Sequence, residues 1–355
     1  MDHKKGLPQE RADQLLVNAA QGPGWALCIG AGTSLPIFPD WNRLVRNLIA
    51  RIHPDRADEL AKTLSAGFAP DSLIQAASIL NEGGPERFAA LLTDELYRDF
   101  LDHFGEAERQ LVVTALAATR PGDLSSKKWT QFSDLLTKHW GDAMSCLAIA
   151  PVISRVLGTS LSPSSILSFN AEPLLFAAIN AHQASADPAA PQRIDRVVRG
   201  ISNRNVGRVP YVFCHGLLPV PDTHASPLSS SPDTLVFSES AYLQLAANLY
   251  SWQAHAFLET CASRRVVFVG LSLTDANMRR WLSWVHDSRL DELRRIDSPA
   301  KSSTQHLWLN CAPNDPELRK WIEASVAHLG VRLVWLNGWD QVGLVLARML
   351  NLPSS

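Results

Sequence analysis

Four short segments of the sequence set glycine, amide, imidazole and hydroxyl groups directly behind runs of apolar residues. The first is Gly30-Ala31-Gly32-Thr33-Ser34, which follows Trp25-Ala26-Leu27-Cys28-Ile29. Glycines at the end of a strand let the backbone turn tightly and approach a phosphate, whose oxygens the exposed N–H groups can bond. The second, Ser168-Phe169-Asn170-Ala171-Glu172-Pro173, brings an amide and a carboxylate to a strand end and enters a helix at a proline, which the first turn tolerates. In the third, Val212-Phe213-Cys214-His215-Gly216, an imidazole stands beside a glycine that permits close approach. The fourth, Val269-Gly270-Leu271-Ser272-Leu273-Thr274-Asp275-Ala276-Asn277, offers a hydroxyl at Ser272 and a helix cap at Asp275.

Each segment also has a plainer reading: a strand-to-helix turn, a capping asparagine, a packed histidine, a capping aspartate. Taken together they are more specific. In a parallel sheet ligands bind at the carboxyl ends of the strands, and all four segments fall at that edge. A dehydrogenase fingerprint of the form GxGxxG is absent, because Leu35 holds the place of the third glycine and Pro36 follows it. Hydride transfer is therefore disfavoured.

Positioning these groups requires a sheet. Strand-length apolar runs occur at Trp25–Ile29, Ile166–Phe169, Tyr211–Cys214, Val266–Val269, His306–Leu309 and Val331–Leu336. Most are apolar almost throughout, as expected of strands covered on both faces, with helical periodicity between them. The fold class is α/β: a Rossmann-like parallel sheet with helices on both faces and an all-helical insertion. Trp41, Leu44, Val45, Leu48, Ile49 and Ile52 form one helical face behind an N-cap at Asp40. From about 55 to 158 no strand is readable; Leu73-Ile74-Ala77-Leu80 and Phe88-Leu91-Leu92-Leu96 pattern as amphipathic helices. The organisation expected is thus a nucleotide-binding domain over 1–54 and 159–355 with a helical insertion over 55–158. Residues 183–193 and 219–234 read as long loops, the second a lid or an irregular segment.

Composition narrows the classes. With 355 residues, 46% apolar, and a net charge of −2, the chain reads as a globular protein without the basic excess of nucleic-acid binders. No window approaches the roughly 18 unbroken apolar residues of a membrane helix, and no apolar stretch follows the charged N-terminus as in a secretory signal. A cytoplasmic location is expected. Cys28, Cys146, Cys214, Cys261 and Cys311 are scattered with no CxxC pair, which suits packed thiols and argues against a zinc ribbon.

The four segments resemble the sirtuin (SIR2-like) family. The likeness rests on Gly30 to Ser34, Pro39-Asp40, Asn170 with Glu172, His215-Gly216 and Gly270-Leu271-Ser272, and it covers about 20–52 and 160–340. Leu235 to Tyr242 and Gly270 to Asp275 look most like bacterial SIR2-like proteins of anti-phage defence, which resemble NAD hydrolases more than deacylases. The resemblance implies NAD as substrate and cleavage of the nicotinamide–ribose bond. On this reading Asn170 orients the ribose or a water, and His215 is the general base. Gly30, Ala31, Gly32, Thr33 and Ser34 hold the pyrophosphate side, with Asp40, Glu172 and Gly270 beside them. Ser272 and Asn277 contact the adenosine half. Two departures stand out: the four-cysteine zinc module of protein deacylases is absent, so no zinc is expected, and Glu172 follows Ala171 where aspartate after a branched or aromatic residue is usual. The alternatives are an NAD-dependent deacylase and a non-catalytic module binding NAD or ADP-ribose. Because a free NAD hydrolase is toxic, restraint by homo-oligomerisation or by a regulatory or sensor protein encoded nearby is expected.

Overall fold

The computed structural model describes residues 9–353 apart from 23, 82–83, 142–143, 188, 190, 203, 224–229, 249–250 and 297–304. Its centre is a seven-stranded sheet: β1 (Trp25–Ile29), β2 (Ile166–Ser168), β3 (Ile194–Val197), β4 (Val209–Phe213), β5 (Arg265–Val269), β6 (His306–Cys311) and β7 (Val331–Leu336). Every pairing is parallel, in the order β3-β4-β2-β1-β5-β6-β7. The fold is α/β and Rossmann-like. After β1 the chain builds one wing through β2, β3 and β4, then crosses to β5 on the other side of β1. A change of winding direction of this kind opens a crevice at the carboxyl ends of the central strands.

The nearly continuous apolar character of β1 follows from burial on both faces. Trp25, Leu27 and Ile29 join one core while Ala26 and Cys28 join the other, which also holds Phe257 and Trp281. The helix Trp41–Ile52 forms as its spacing predicts, burying Leu44, Val45, Leu48 and Ile49, and Asp40 caps it by accepting from the Arg43 N–H at 2.8 Å.

Between that helix and β2 the described residues contain helices and no strand. Among them are Pro70–Leu80, Gly84–Leu101, Glu106–Ala117, Ser126–Trp140 and Ser145–Val156. Their apolar faces do not close on themselves. Leu73, Leu92, Tyr97, Phe100, Trp129 and Ile149 join the core that contains Leu27 and Ile29. Leu80, read as part of a buried face, is 56% exposed because its helix ends there.

Two expectations need correction. β3 was not readable as a strand: its sequence, Ile-Asp-Arg-Val, carries two charges. It pairs only with β4, at the sheet edge, and charged side chains are a common feature of such edges. Its Asp195 is buried but accepts from the Asn205 N–H at 2.7 Å and from Arg208 at 3.1 Å. The supposed loop at 183–193 begins inside a helix, because Leu174–Ala186 continues through Gln183 and Ala184, both buried. Of the loop at 219–234, residues 224–229 lie outside the described residues, and Pro232–Thr234 form a short 3-10 turn.

Candidate active site at the strand tips

Four strands end level. Ile29 is the register partner of both Ser168 and Val269, and Ser168 is the partner of Phe213. The turns after β1, β2, β4 and β5 therefore start side by side, and Asn170 and His215 each lie two residues beyond a registered pair.

The turn after β1 interlocks with the turn after β5. The Gly30 N–H donates to the Val269 carbonyl at 3.1 Å and the Gly32 N–H to the Gly270 carbonyl at 2.9 Å. The Thr33 N–H returns to Gly30 at 2.9 Å, and the Ser34 N–H to Ala31 at 3.0 Å. These glycines are needed because two backbones touch: a Cβ on Gly32 would lie 2.9 Å from the Gly270 backbone, and Gly270 itself has φ +66°. The amides of Gly30, Gly32, Thr33 and Ser34 are thus engaged inside the protein, which corrects the expectation that they stand exposed for a pyrophosphate.

At the tip of β2 a buried polar network forms. Glu172 Oε1 accepts from the Ser34 hydroxyl at 2.6 Å and from Asn170 Nδ2 at 2.9 Å, while Oε2 accepts from the Leu174 N–H at 2.5 Å. Asn170 Nδ2 also reaches Ser34 Oγ at 3.1 Å. A carboxylate can only accept, so this partner fixes the amide with its nitrogen inward. Asn170 Oδ1 is left buried with no partner. Burial lifts the Glu172 carboxyl above its ordinary range, against the lowering effect of Ser34, Leu174 and Asn170.

His215 follows β4 with its ring edge-on to Phe169, centroids 4.7 Å apart, and to Tyr242 at 5.4 Å. Its Nδ1 is buried and unpartnered. Burial pulls the imidazole down to about 4, with Asp275 opposing that shift, so the ring is neutral near pH 7.

Two adjoining cavities meet here. A narrow one of about 30 Å³ is lined by Ser34, Phe38, Leu96, Asn170, Glu172 and Phe237, among others. A broad cleft of about 760 Å³ is lined by Gly30, His215, Tyr242, Ser272, Asp275, Asn277 and Arg280, among others. Ala31, Asp40, Trp41 and Phe169 line both. Asn170 and His215 are therefore brought to neighbouring tips but open into different cavities, with Phe169 between them. Of the remaining sequence-derived positions, Gly32, Thr33 and Gly270 line neither cavity and serve the turn itself. Asn277 is held by donating to the Tyr242 carbonyl at 3.1 Å and accepting from Arg280 at 2.6 Å.

Residues 165–325 match the family model of the SIR2-like domain. Over this stretch, somewhat under half of its length, the chain is similar to SIR2-like domains. The match includes Asn170, Glu172, His215, Gly270, Ser272 and Asn277 and leaves out the Gly30–Ser34 turn. SIR2-like domains use NAD, and this one is compatible with an NAD-dependent enzyme. No curated protein matches the chain. Among the described residues no group of three or more His, Cys, Asp or Glu is arranged to hold a metal ion, and no helix is long and apolar enough to cross a membrane. The five cysteines of the chain are free thiols; burial pushes Cys214 up to about 12 and raises Cys28 and Cys261 as well, so none is primed as a nucleophile.

Sequence reasoning missed several residues lining the two cavities. Trp41 was readable only as part of an apolar helix face, yet its ring packs on Phe237 at 4.8 Å and lines both cavities. Leu96, from the helical stretch, forms a wall of the narrow pocket. Tyr242 was read only as the end of the Leu235–Tyr242 segment, with no role at the site, and Arg280 carries no motif that marks it.

Proposed function

We propose that the chain is an NAD glycohydrolase that breaks the nicotinamide–ribose bond and releases nicotinamide and ADP-ribose. The observation that carries this reading is the pair of buried, unpartnered polar atoms, Asn170 Oδ1 and His215 Nδ1, on adjacent strand tips of a SIR2-like domain. Buried polar atoms without partners that lie at cavity walls, as those of Asn170 and His215 do, fit a site completed by a ligand.

The broad cleft has the size of a small-molecule site. Because the amides of Gly30, Gly32, Thr33 and Ser34 are engaged, the pyrophosphate falls to Arg280, the cation among the cleft-lining residues, with the Ser272 hydroxyl lining the same cleft. Asn170 Oδ1 accepts from a ribose hydroxyl or the attacking water. The bond between ribose C1′ and the pyridinium nitrogen breaks with its electron pair leaving on nicotinamide, which becomes neutral, and an oxocarbenium-like centre develops at C1′. Water oxygen bonds to C1′, and its proton passes to His215. NAD and water thus give nicotinamide, ADP-ribose and one proton.

An enzyme of this kind depletes NAD, which suits an effector of anti-phage defence held in check by self-association or by a partner protein. The helical stretch is the surface for such control, since Leu96 joins it to the narrow pocket. Chromatography of NAD incubated with the protein, with and without an acetylated peptide, tests the activity. Nicotinamide and ADP-ribose in equal amounts without peptide support it. Nicotinamide formed only with peptide, alongside O-acetyl-ADP-ribose, would make the chain a deacylase instead.

A further inference from the structure

Tyr242 sits in the helix Glu239–Ala247 and meets His215 edge-on, with an interplanar angle of 86°. Its carbonyl accepts from Asn277 Nδ2 at 3.1 Å, and its hydroxyl is hydrogen-bonded to Asp275. Asp275 in turn caps the helix Ala276–Arg295 by accepting from the Met278 N–H at 2.8 Å. The sequence reading assigned Asp275 that cap and nothing more. The cap has a second consequence, because it locks the carboxylate in place at the cleft wall, where His215 and Tyr242 also stand.

The surroundings of His215 are unequal. Phe169 and Tyr242 contribute rings to it. Charged groups lining the same cleft are Asp40 and Asp71 from one side, Glu239 from the Tyr242 helix, and Asp275 and Arg280 from the other, with Glu172 in the narrow pocket. Among these, Asp275 is the charge that acts on the imidazole, and it opposes the effect of burial.

We propose that Asp275 and Tyr242 are a positioning pair for His215: the Tyr242 ring holds the imidazole against Phe169, its hydroxyl is tied to Asp275, and the Asp275 carboxylate stabilises the imidazolium formed when His215 takes a proton. This rests on the hydrolase reading above. When water adds to C1′ its O–H bond breaks and the proton stays on the imidazole; Asp275 accepts none. A carboxylate near a cation favours the charged form, so its loss makes His215 a weaker base.

Two substitutions separate this role from a structural one. Asp275→Asn keeps a good cap and removes the charge. Tyr242→Phe keeps the ring and removes the hydroxyl. The measurements are the NMR titration of the His215 imidazole, which requires no NAD, and kcat and KM for nicotinamide release. In Asp275→Asn the His215 titration moves down by about one pH unit. Its kcat falls about tenfold with KM within about twofold, and thermal melting is unchanged. Tyr242→Phe shifts both in the same direction and less. An unshifted titration or a wild-type kcat in Asp275→Asn overturns the proposal. A wild-type protein that releases no nicotinamide instead defeats the hydrolase reading, while the titration still decides the pair.

Discussion

Ser34 donates its hydroxyl to Glu172 at 2.6 Å, joining the turn after β1 to the tip of β2 across 138 residues of sequence. Through Glu172 and Ser34 this contact also sets the Asn170 amide, whose nitrogen faces the pair and whose oxygen is left without a partner.

Glu172 makes the site's stability depend on pH. Burial raises its carboxyl above 4.5, so the folded chain holds this proton more tightly than the unfolded chain. Its contribution to stability is complete below that value and is lost as pH rises through the raised one. Glu172→Gln cannot ionise and still offers Ser34 an acceptor. Melting temperatures of both proteins across the acid-to-neutral range should therefore diverge, the variant gaining on the wild type as pH rises. A gap that narrows with rising pH would show that the carboxylate is favoured in the fold. Glu172→Ala, which leaves the Ser34 hydroxyl, Asn170 amide and Leu174 N–H without their acceptor, should cost about 3 kcal/mol.

The interlocked turns predict a sharp intolerance at Gly270. An alanine there would adopt φ +66° and press its methyl into the Thr33 N–H and side chain. A loss of about 2–4 kcal/mol is expected in denaturant unfolding. Gly67, with nothing within 4 Å of an added Cβ, is the control, and its alanine variant should be near neutral. Equal effects at the two positions would mean that the β1 and β5 turns are not held in contact.

Leu96 ties the helical stretch to the site. The narrow pocket it lines is small, about 30 Å³, so Leu96→Phe should fill it. Nicotinamide release should slow at least about tenfold while the melting temperature changes little, because the larger side chain enters open pocket space that Phe38 and Phe237 also line. An undiminished rate would place the reaction wholly in the broad cleft.

Much of the fold is readable from local pattern because the pattern has a local cause. The helix Trp41–Ile52 shows its buried face at helical spacing and its cap at Asp40. The central strands read as apolar runs because both faces are covered. β3 escapes for the opposite reason: an edge strand needs little apolar content, and its Asp195 is satisfied by Asn205 and Arg208 from the loop that follows. The positions of Asn170 and His215 follow from strand ends, which a sequence displays. What a sequence does not display is where an N–H points. The amides of Gly30, Gly32, Thr33 and Ser34 look available in one dimension and are engaged by the β5 strand and turn and by their own turn in three. The role of Tyr242 escapes for the same reason, since its meeting with His215 depends on the helix Glu239–Ala247 returning over the strand tips.

The most direct test of the account is the rate of nicotinamide release from NAD by the wild-type chain and by its Asn170→Ala and His215→Ala variants, with circular dichroism confirming the fold of each. The account predicts release by the wild type and a loss of at least about 100-fold in each variant. A variant of either residue that cleaves NAD at the wild-type rate would contradict it.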